Sequence, residues 1–404
     1  MPSSKWLGAL QERNFRLFFI GQTASSIGSG MAPVAIVFAI LAHGTASDVG
    51  YVLAAQTVPL VILLLVGGVV GDRVNRRTLM LQSDLLRTLA EFALGLWVVL
   101  DAPPVWGFMA LGALMGVGQA FFSPALTGIV PQMLSGDQLQ QGNALNGISN
   151  SSGGIAGPAI AGVIVAVFNP GWAILADALS YLISVISLAM VHIDWNASET
   201  KASFSSLLRE GWHEFWSRTW LWVVVIEFSL FNALFASFFV LGPVVAKASL
   251  GGAKAWGLIL AAEGVGAVLG GVVMLRIHPR RPLLVATLST FGSVIPLYFI
   301  ALHSLTVVVA AAAFLSGISL SIFGVQWSTT MQREIPTEML SRLSAYDWFG
   351  SLVLLPLGMA VVGPVSSVIG VKTTLIVCAS TMVALIVATL CVPSVTRLQL
   401  RPHE

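Results

Sequence analysis

Long apolar runs alternate with short polar breaks along the whole chain. Run length, together with Gly, Pro and charged breakers, predicts twelve helices. The first six lie near residues 14–42, 48–71, 77–100, 106–134, 139–168 and 171–192. The second six lie near 219–247, 253–276, 282–302, 305–333, 342–368 and 371–393. A hydrocarbon core is crossed by about 20 apolar residues, and the longer runs imply tilt or projection beyond it. Very short breaks make consecutive helices antiparallel neighbours. The longest break, His192 to Arg218, divides the chain into a first bundle (1–195), a linker (196–218) and a second bundle (219–404). In the linker Phe204, Leu207, Leu208, Gly211, Trp212, Phe215 and Trp216 recur at helical spacing. Arg209, Glu210, His213 and Glu214 take the other side, which predicts an interfacial helix tethering the two halves.

Composition excludes a water-soluble globule. Of 404 residues, 56% are hydrophobic and 9% charged, against about 25% charged in an ordinary soluble domain. The fold class expected is all-α and membrane-spanning, twelve helices in two bundles of six. Charge placement then fixes the orientation. With both termini cytoplasmic, the inner loops and tails collect nearly all of the 20 Lys and Arg; Lys247, Lys254 and Lys372 lie outside, and Arg87 lies within the third span. The polar N-terminus lacks the short apolar region and cleavage site of a secretory leader, so the first helix is expected to act as the insertion signal. The two cysteines, Cys378 and Cys391, give no disulfide framework or metal-ligand spacing, and no histidine lies mid-span. No phosphate-binding loop occurs. No enzyme activity, metal, cofactor or nucleic-acid partner is therefore expected. The expected partners are the bilayer of the plasma membrane, protons and a small-molecule substrate, with the chain acting as a monomer.

The strongest motif is G-V-V-G-D-R-V-N-R-R, Gly68 to Arg77, on the short loop between the second and third spans. It resembles the loop signature G-x-L-A-D-R-x-G-R-K of the major facilitator superfamily. Gly68, Asp72, Arg73, Arg76 and Arg77 fall on its positions, and Asn75 replaces a Gly, as a residue that tolerates left-handed backbone. The resemblance implies a gating loop whose Asp72 sits against the start of the eleventh helix when the transporter faces outward. G-G-V-V recurs at Gly270–Val273, followed by Arg276, Arg280 and Arg281, but Leu275 stands where Asp72 stood. Such a repeat fits a transporter built of two related halves. In the fifth span Gly153, Gly157, Pro158 and Gly162 resemble the fifth-helix signature of major facilitator exporters, which implies outward transport; small residues also serve close helix packing. N-F-R-L-F-F-I-G-Q (Asn14–Gln22), F-F-S-P-A (Phe121–Ala125), S-R-L-S-A-Y-D (Ser341–Asp347) and P-L-G-M-A-V-V-G-P (Pro356–Pro364) resemble the branch of macrolide and siderophore efflux proteins. One departure stands out. Position 112, where many proton-coupled exporters carry an Arg in the fourth helix, is Gly112.

Acidic residues inside spans are costly and therefore functional candidates. Glu227 and Glu263 are the proton-coupling candidates. Glu227 shares a stripe with Phe231, Phe235 and Phe238, an aromatic wall that suits an amphipathic or cationic substrate. Asp177 and Glu91 lie on helices that the resemblance makes peripheral, which implies structural pairing, and Asp84 and Asp347 lie near inner ends. The resemblance further points Gln22, Ser25 and Ser26 of the first helix, and Phe323, Gln326 and Trp327 of the tenth, at a central cavity. The function expected is export of small, largely apolar or amphipathic molecules by proton antiport. The alternative is proton-coupled import of a metabolite, and behind it a receptor or structural protein without transport.

Overall fold

The computed structural model describes residues 8–134, 137–193, 212–277 and 279–399. All regular structure among them is helical. Twelve long helices follow the apolar runs: α1 (Arg13–His43), α2 (Ala46–Arg73), α3 (Arg76–Leu100), α4 (Val105–Met133), α5 (Asp137–Val167) and α6 (Pro170–Met190). Then come α7 (Thr219–Val245), α8 (Gly252–Met274), α9 (Pro282–Ser289 and Phe291–Ala301), α10 (Thr306–Glu334), α11 (Thr337–Leu352 and Leu355–Ile369) and α12 (Val371–Leu390). The break in α11 follows from Pro356, which has no N–H to donate to the carbonyl of Leu352. Of these, 11 are both long and apolar enough to cross a membrane. The remaining helix is α3, of spanning length at 25 residues. It is set apart by Asp84, Arg87 and Glu91, at i, i+3 and i+7 on one face, while Leu85, Leu89, Phe92 and Leu96 are exposed on the other.

The chain forms two compact units. One comprises 1–199 with 251–261, the other 200–250 with 262–404. The first turns of α8 thus belong to the first unit, where a Cβ on Gly257 would strike the carbonyl of Pro158 and lie 3.1 Å from the Cα of Gly162. Within the first unit α1 packs on α5 and α6, α3 on α4 and α6, and α2 on α4. Within the second unit α7 packs on α11 and α12, and α9 on α10 and α12. Gly266 and Gly317 there bring α8 and α10 together, against Phe314 and Glu263 backbone respectively. Each pairing in the first unit recurs six helices later, so the repeat glimpsed in G-G-V-V extends to the packing of whole helices.

The packing surfaces are built from small residues. A Cβ on Gly30 would overlap the carbonyl of Gly153, and one on Gly157 would lie 2.5 Å from the Cα of Gly30. Lipid tails are as apolar as the side chains, so such close backbone approach, and the dispersion it gains, is what joins α1 to α5. In the second unit Gly358, within the Pro356–Pro364 motif, does the same for α11 on α7, its Cβ direction 2.6 Å from the Cα of Ala233. Where the linker re-enters the described chain, residues 212–217 are helical; Trp212 and Trp216 are exposed while Phe215 is buried with Trp220 and Leu221. The rest of the predicted interfacial helix, from Phe204 to Gly211, lies outside the described residues.

Candidate functional site

The loop between α2 and α3 is held by three of its predicted residues. Asn75 is not left-handed. At φ −56° and ψ 116° it caps α3, its side-chain oxygen accepting from the N–H groups of Arg77 (3.0 Å) and Thr78 (3.4 Å). Asn replaces Gly without backbone strain because its amide satisfies N–H groups that a helix start leaves free. Arg77 donates from Nε to the carbonyl of Leu188 (2.8 Å) and from Nη2 to that of Ala189 (2.7 Å), capping the last turn of α6. Arg76 donates to the carbonyl of Gly128 on α4 (2.5 Å), in space a Cβ at 128 would fill. The side chains of Gly68, Asp72 and Arg73 lie outside the described residues. In the second unit Leu275, Arg276, Arg280 and Arg281 are exposed, so among the described residues the basic loop repeats in sequence without repeating these contacts.

The predicted aromatic residues form one continuous stack within the second unit. Rings pair from Phe238 to Phe235 (5.3 Å), Phe235 to Phe231 (5.8 Å) and Phe231 to Phe228 (5.3 Å). Phe228 then lies parallel to Phe323 of α10 at 4.2 Å, and Phe323 stacks on Trp327 at 6.2 Å. Phe231 and Phe238 are fully buried, so they pack the bundle rather than face a void. Phe228, which sequence reasoning passed over, is the half-buried ring that joins α7 to α10. The indole N–H of Trp327 donates to Asp347 of α11 (3.0 Å), a partner its buried position needs. Gln326 is buried against Met274.

The candidate acids have different surroundings. Glu227 is 3% exposed, and neither carboxylate oxygen has a hydrogen-bond partner among the described residues. Glu263 is half-buried on α8 and accepts from the hydroxyl of Ser316 on α10 (3.4 Å). On α1, Gln22 donates to Ser26 (3.3 Å), and Ser26 donates to Asn150 of α5 (3.3 Å), while Ser25 is buried. This polar seam joins the predicted residues of α1 to the N-S-S stretch of α5, whose role the sequence did not signal.

Among the described residues a dense polar cluster lies between α3 and α6, where pairing alone was expected. Arg87 pairs with Asp84, whose other oxygen accepts from Ser184 (2.6 Å). The guanidinium also donates to Gln119 of α4 (2.7 Å) and lies between the rings of Phe122 (4.2 Å) and Tyr181 (4.4 Å). The Tyr181 hydroxyl meets Ser29 of α1 at 2.8 Å. Glu91, fully buried, faces Asp177 across the interface. Among the described residues both Glu91 oxygens and Oδ2 of Asp177 lack a donor; Oδ1 of Asp177 accepts from Ser180 at 3.0 Å. Glu91 and Asp177 therefore stand beside an Asp84–Arg87 pair that is already matched. A cavity of about 220 Å³ opens beside them, lined by Ser29, Gln56, Arg87, Glu91, Gln119 and Tyr181 among others. The sequence carried a signal: Asp84, Arg87 and Glu91 on one face of α3, and Asp177, Ser180, Tyr181 and Ser184 on one face of α6.

Comparison with known proteins gives a consistent picture. The profile of a major facilitator family described as transmembrane secretion effector matches residues 4–404. The multidrug efflux pump Tap of Mycolicibacterium fortuitum is 24% identical, over 95% of this chain and 96% of its own. Macrolide efflux protein A of Streptococcus pyogenes is 23% identical, over 90% and 93%. The enterobactin exporter EntS of Salmonella typhi is 24% identical, over 87% of each. Among solved structures, the nucleoside transporter NupG superposes with a TM-score of 0.77 at 12% identity, over 93% of this chain and 98% of NupG, a likeness of fold alone.

Proposed function

Since the chain belongs to the major facilitator family of transmembrane secretion effectors, and is a multi-pass plasma-membrane transporter whose relatives are efflux proteins, we propose that it exports amphipathic small molecules, cationic ones included, by proton antiport. In this reading all twelve helices span the bilayer and both termini are cytoplasmic, with α3 crossing by keeping its three charges inside the bundle. The observation that carries the substrate class is Glu227. It is a buried carboxylate with no hydrogen-bond partner among the described residues, one helical turn from Phe231 in a stack of rings that continues through Phe228 to Phe323 and Trp327. A cationic group on an apolar body supplies what that site lacks: a counter-charge for Glu227 and apolar surface to lie on the half-buried ring of Phe228. Glu263, held by Ser316, is the proton-exchanging acid of this unit. The glycine face of α5 supports the outward direction, together with the efflux activity of the relatives.

The test is transport in proteoliposomes under an imposed pH gradient, across a panel of cationic and neutral amphipathic compounds. Antiport accumulates substrate in the acidic compartment, because protons leaving it drive substrate the other way. Accumulation in the alkaline compartment marks a symporter and overturns the reading. Glu263→Gln is expected to remove gradient-driven accumulation while retaining substrate binding.

A further inference from the structure

We propose that Glu91 and Asp177 form a second proton-binding site, one exchangeable proton shared between their carboxyl groups inside the first unit. The inference rests on the proton-antiport reading above.

The cluster does not balance as a set of ionised groups. Asp84 and Arg87 neutralise each other, and Ser184 and Gln119 satisfy further atoms of that pair. Among the described residues Glu91 and Asp177 are left with no cation of their own and, at Glu91, with no donor for either oxygen. Among the described groups packed round Glu91 the cation is Arg87, already engaged by Asp84. Asp84 and Arg87 lie on its own helix, and Asp177 and Tyr181 on α6; α1, α2 and α4 contribute Ser29, Gln56 and Gln119. Two carboxylates that close, out of water, do not both stay ionised. A proton on one converts an acceptor into an O–H donor aimed at the other, removing a charge and an unmet hydrogen bond together. Nothing else about the pair needs to change: the proton arrives from water, bonds to a carboxylate oxygen and leaves to water.

The site also has an approach. The cavity beside Glu91 is bounded by Pro33, which is exposed, and by Gln56 and Gln119, which are half-buried. At about 220 Å³ it has room for several waters, each of which occupies about 30 Å³ in the liquid. Ile36, Leu53, Leu60 and Met115 also form the cavity wall, and Glu91 shares it with Ser29, Gln56, Gln119 and Tyr181. A buried acid on the wall of a cavity that can hold several waters is reachable by protons, whereas a purely structural acid pair would be sealed. Arg87 lines the cavity and is the positioning residue, its guanidinium held by Asp84 and Gln119.

The experiment uses the full-length protein in liposomes, with infrared spectra of the carboxylic-acid C=O stretch recorded as pH is stepped. This arm needs no substrate. A titrating band is expected in the wild type and is expected to be lost in both Glu91→Gln and Asp177→Asn. The second variant guards against a misfolded first one, and monodispersity in detergent screens both. A band of unchanged intensity in both folded variants overturns the site, and so does a band abolished by sodium at constant pH. In the second arm, efflux of a fluorescent cationic dye driven by a pH gradient is expected to fall about tenfold in Glu91→Gln, with dye–dye exchange without a gradient largely retained. Wild-type efflux indifferent to pH gradients defeats the antiport reading. The infrared arm tells that failure apart from failure of the Glu91–Asp177 site.

Discussion

Gly153 and Gly154 stand side by side on α5, yet only one is required by packing. A Cβ at Gly153 would overlap the backbone of Ser26, and Gly157 one turn on meets Gly30, whereas nothing lies within 4 Å of the Cβ direction of Gly154. Gly153→Leu is therefore expected to wedge α5 from α1 and to cost about 1–3 kcal/mol, as overpacking does in well-packed interiors. Gly154→Leu is expected to be neutral. Thermal unfolding of the two purified variants in detergent checks this, and equal melting would remove the packing role from the motif. The same logic separates the loop residues: Asn75, Arg76 and Arg77 are each fixed by backbone partners on α3, α4 or α6.

Two stacked neighbours on one face of α7 differ in their tasks. Phe231 is buried on all sides, while Phe228 is half-buried and carries the stack across to Phe323. Phe231→Ala is expected to destabilise the bundle by about 2 kcal/mol. That is below the soluble-core value for removing an aromatic side chain, because lipid as solvent withdraws the hydrophobic part of the loss. Phe228→Ala is expected to leave stability near wild type and to change which compounds are exported. Expression and melting temperature separate the first effect, and a resistance profile across a compound panel reads the second. At this scale helix faces matter more than residue type: α3 and α6 are each apolar outward and polar inward, and that is why α3 carries three charges and still has an exposed face of Leu and Phe.

The whole molecule repeats its helix pairing but not its chemistry. In the first unit the interior polar groups are ionisable and meet at Arg87; in the second, interior rings run from Phe238 to Trp327, with Glu227 beside them. A repeat of packing with divergent interiors lets one unit hold charge while the other presents apolar surface. Glu227→Gln is accordingly expected to weaken cationic substrates about tenfold, or 1.4 kcal/mol, and neutral ones of similar shape by much less. Competition binding with a matched cationic and neutral pair tests this. An equal loss for both would make Glu227 a packing residue.

What the sequence determined by itself is local. Run lengths placed the twelve helices within a few residues, because burying apolar side chains in lipid needs only length and composition. The glycines of α5 and the loop from Gly68 to Arg77 identified the family, and those glycines foretold close packing, because backbone approach needs small side chains at fixed spacing. What only the tertiary structure decided is which faces meet. Asn75 was legible as a departure from a motif, but its capping role depended on the turn the backbone takes there. Phe231 and Phe228 are three residues apart and alike in sequence, yet burial divides them. Glu91 and Asp177 lie on separate helices, and each alone looked like an acid awaiting a structural partner. Only the packing of α3 on α6 shows that the partner is another acid, and that Arg87 is already engaged by Asp84. Periodicity is fixed by neighbours three and four residues apart, while charge balance is fixed by contacts across the bundle that no local pattern encodes.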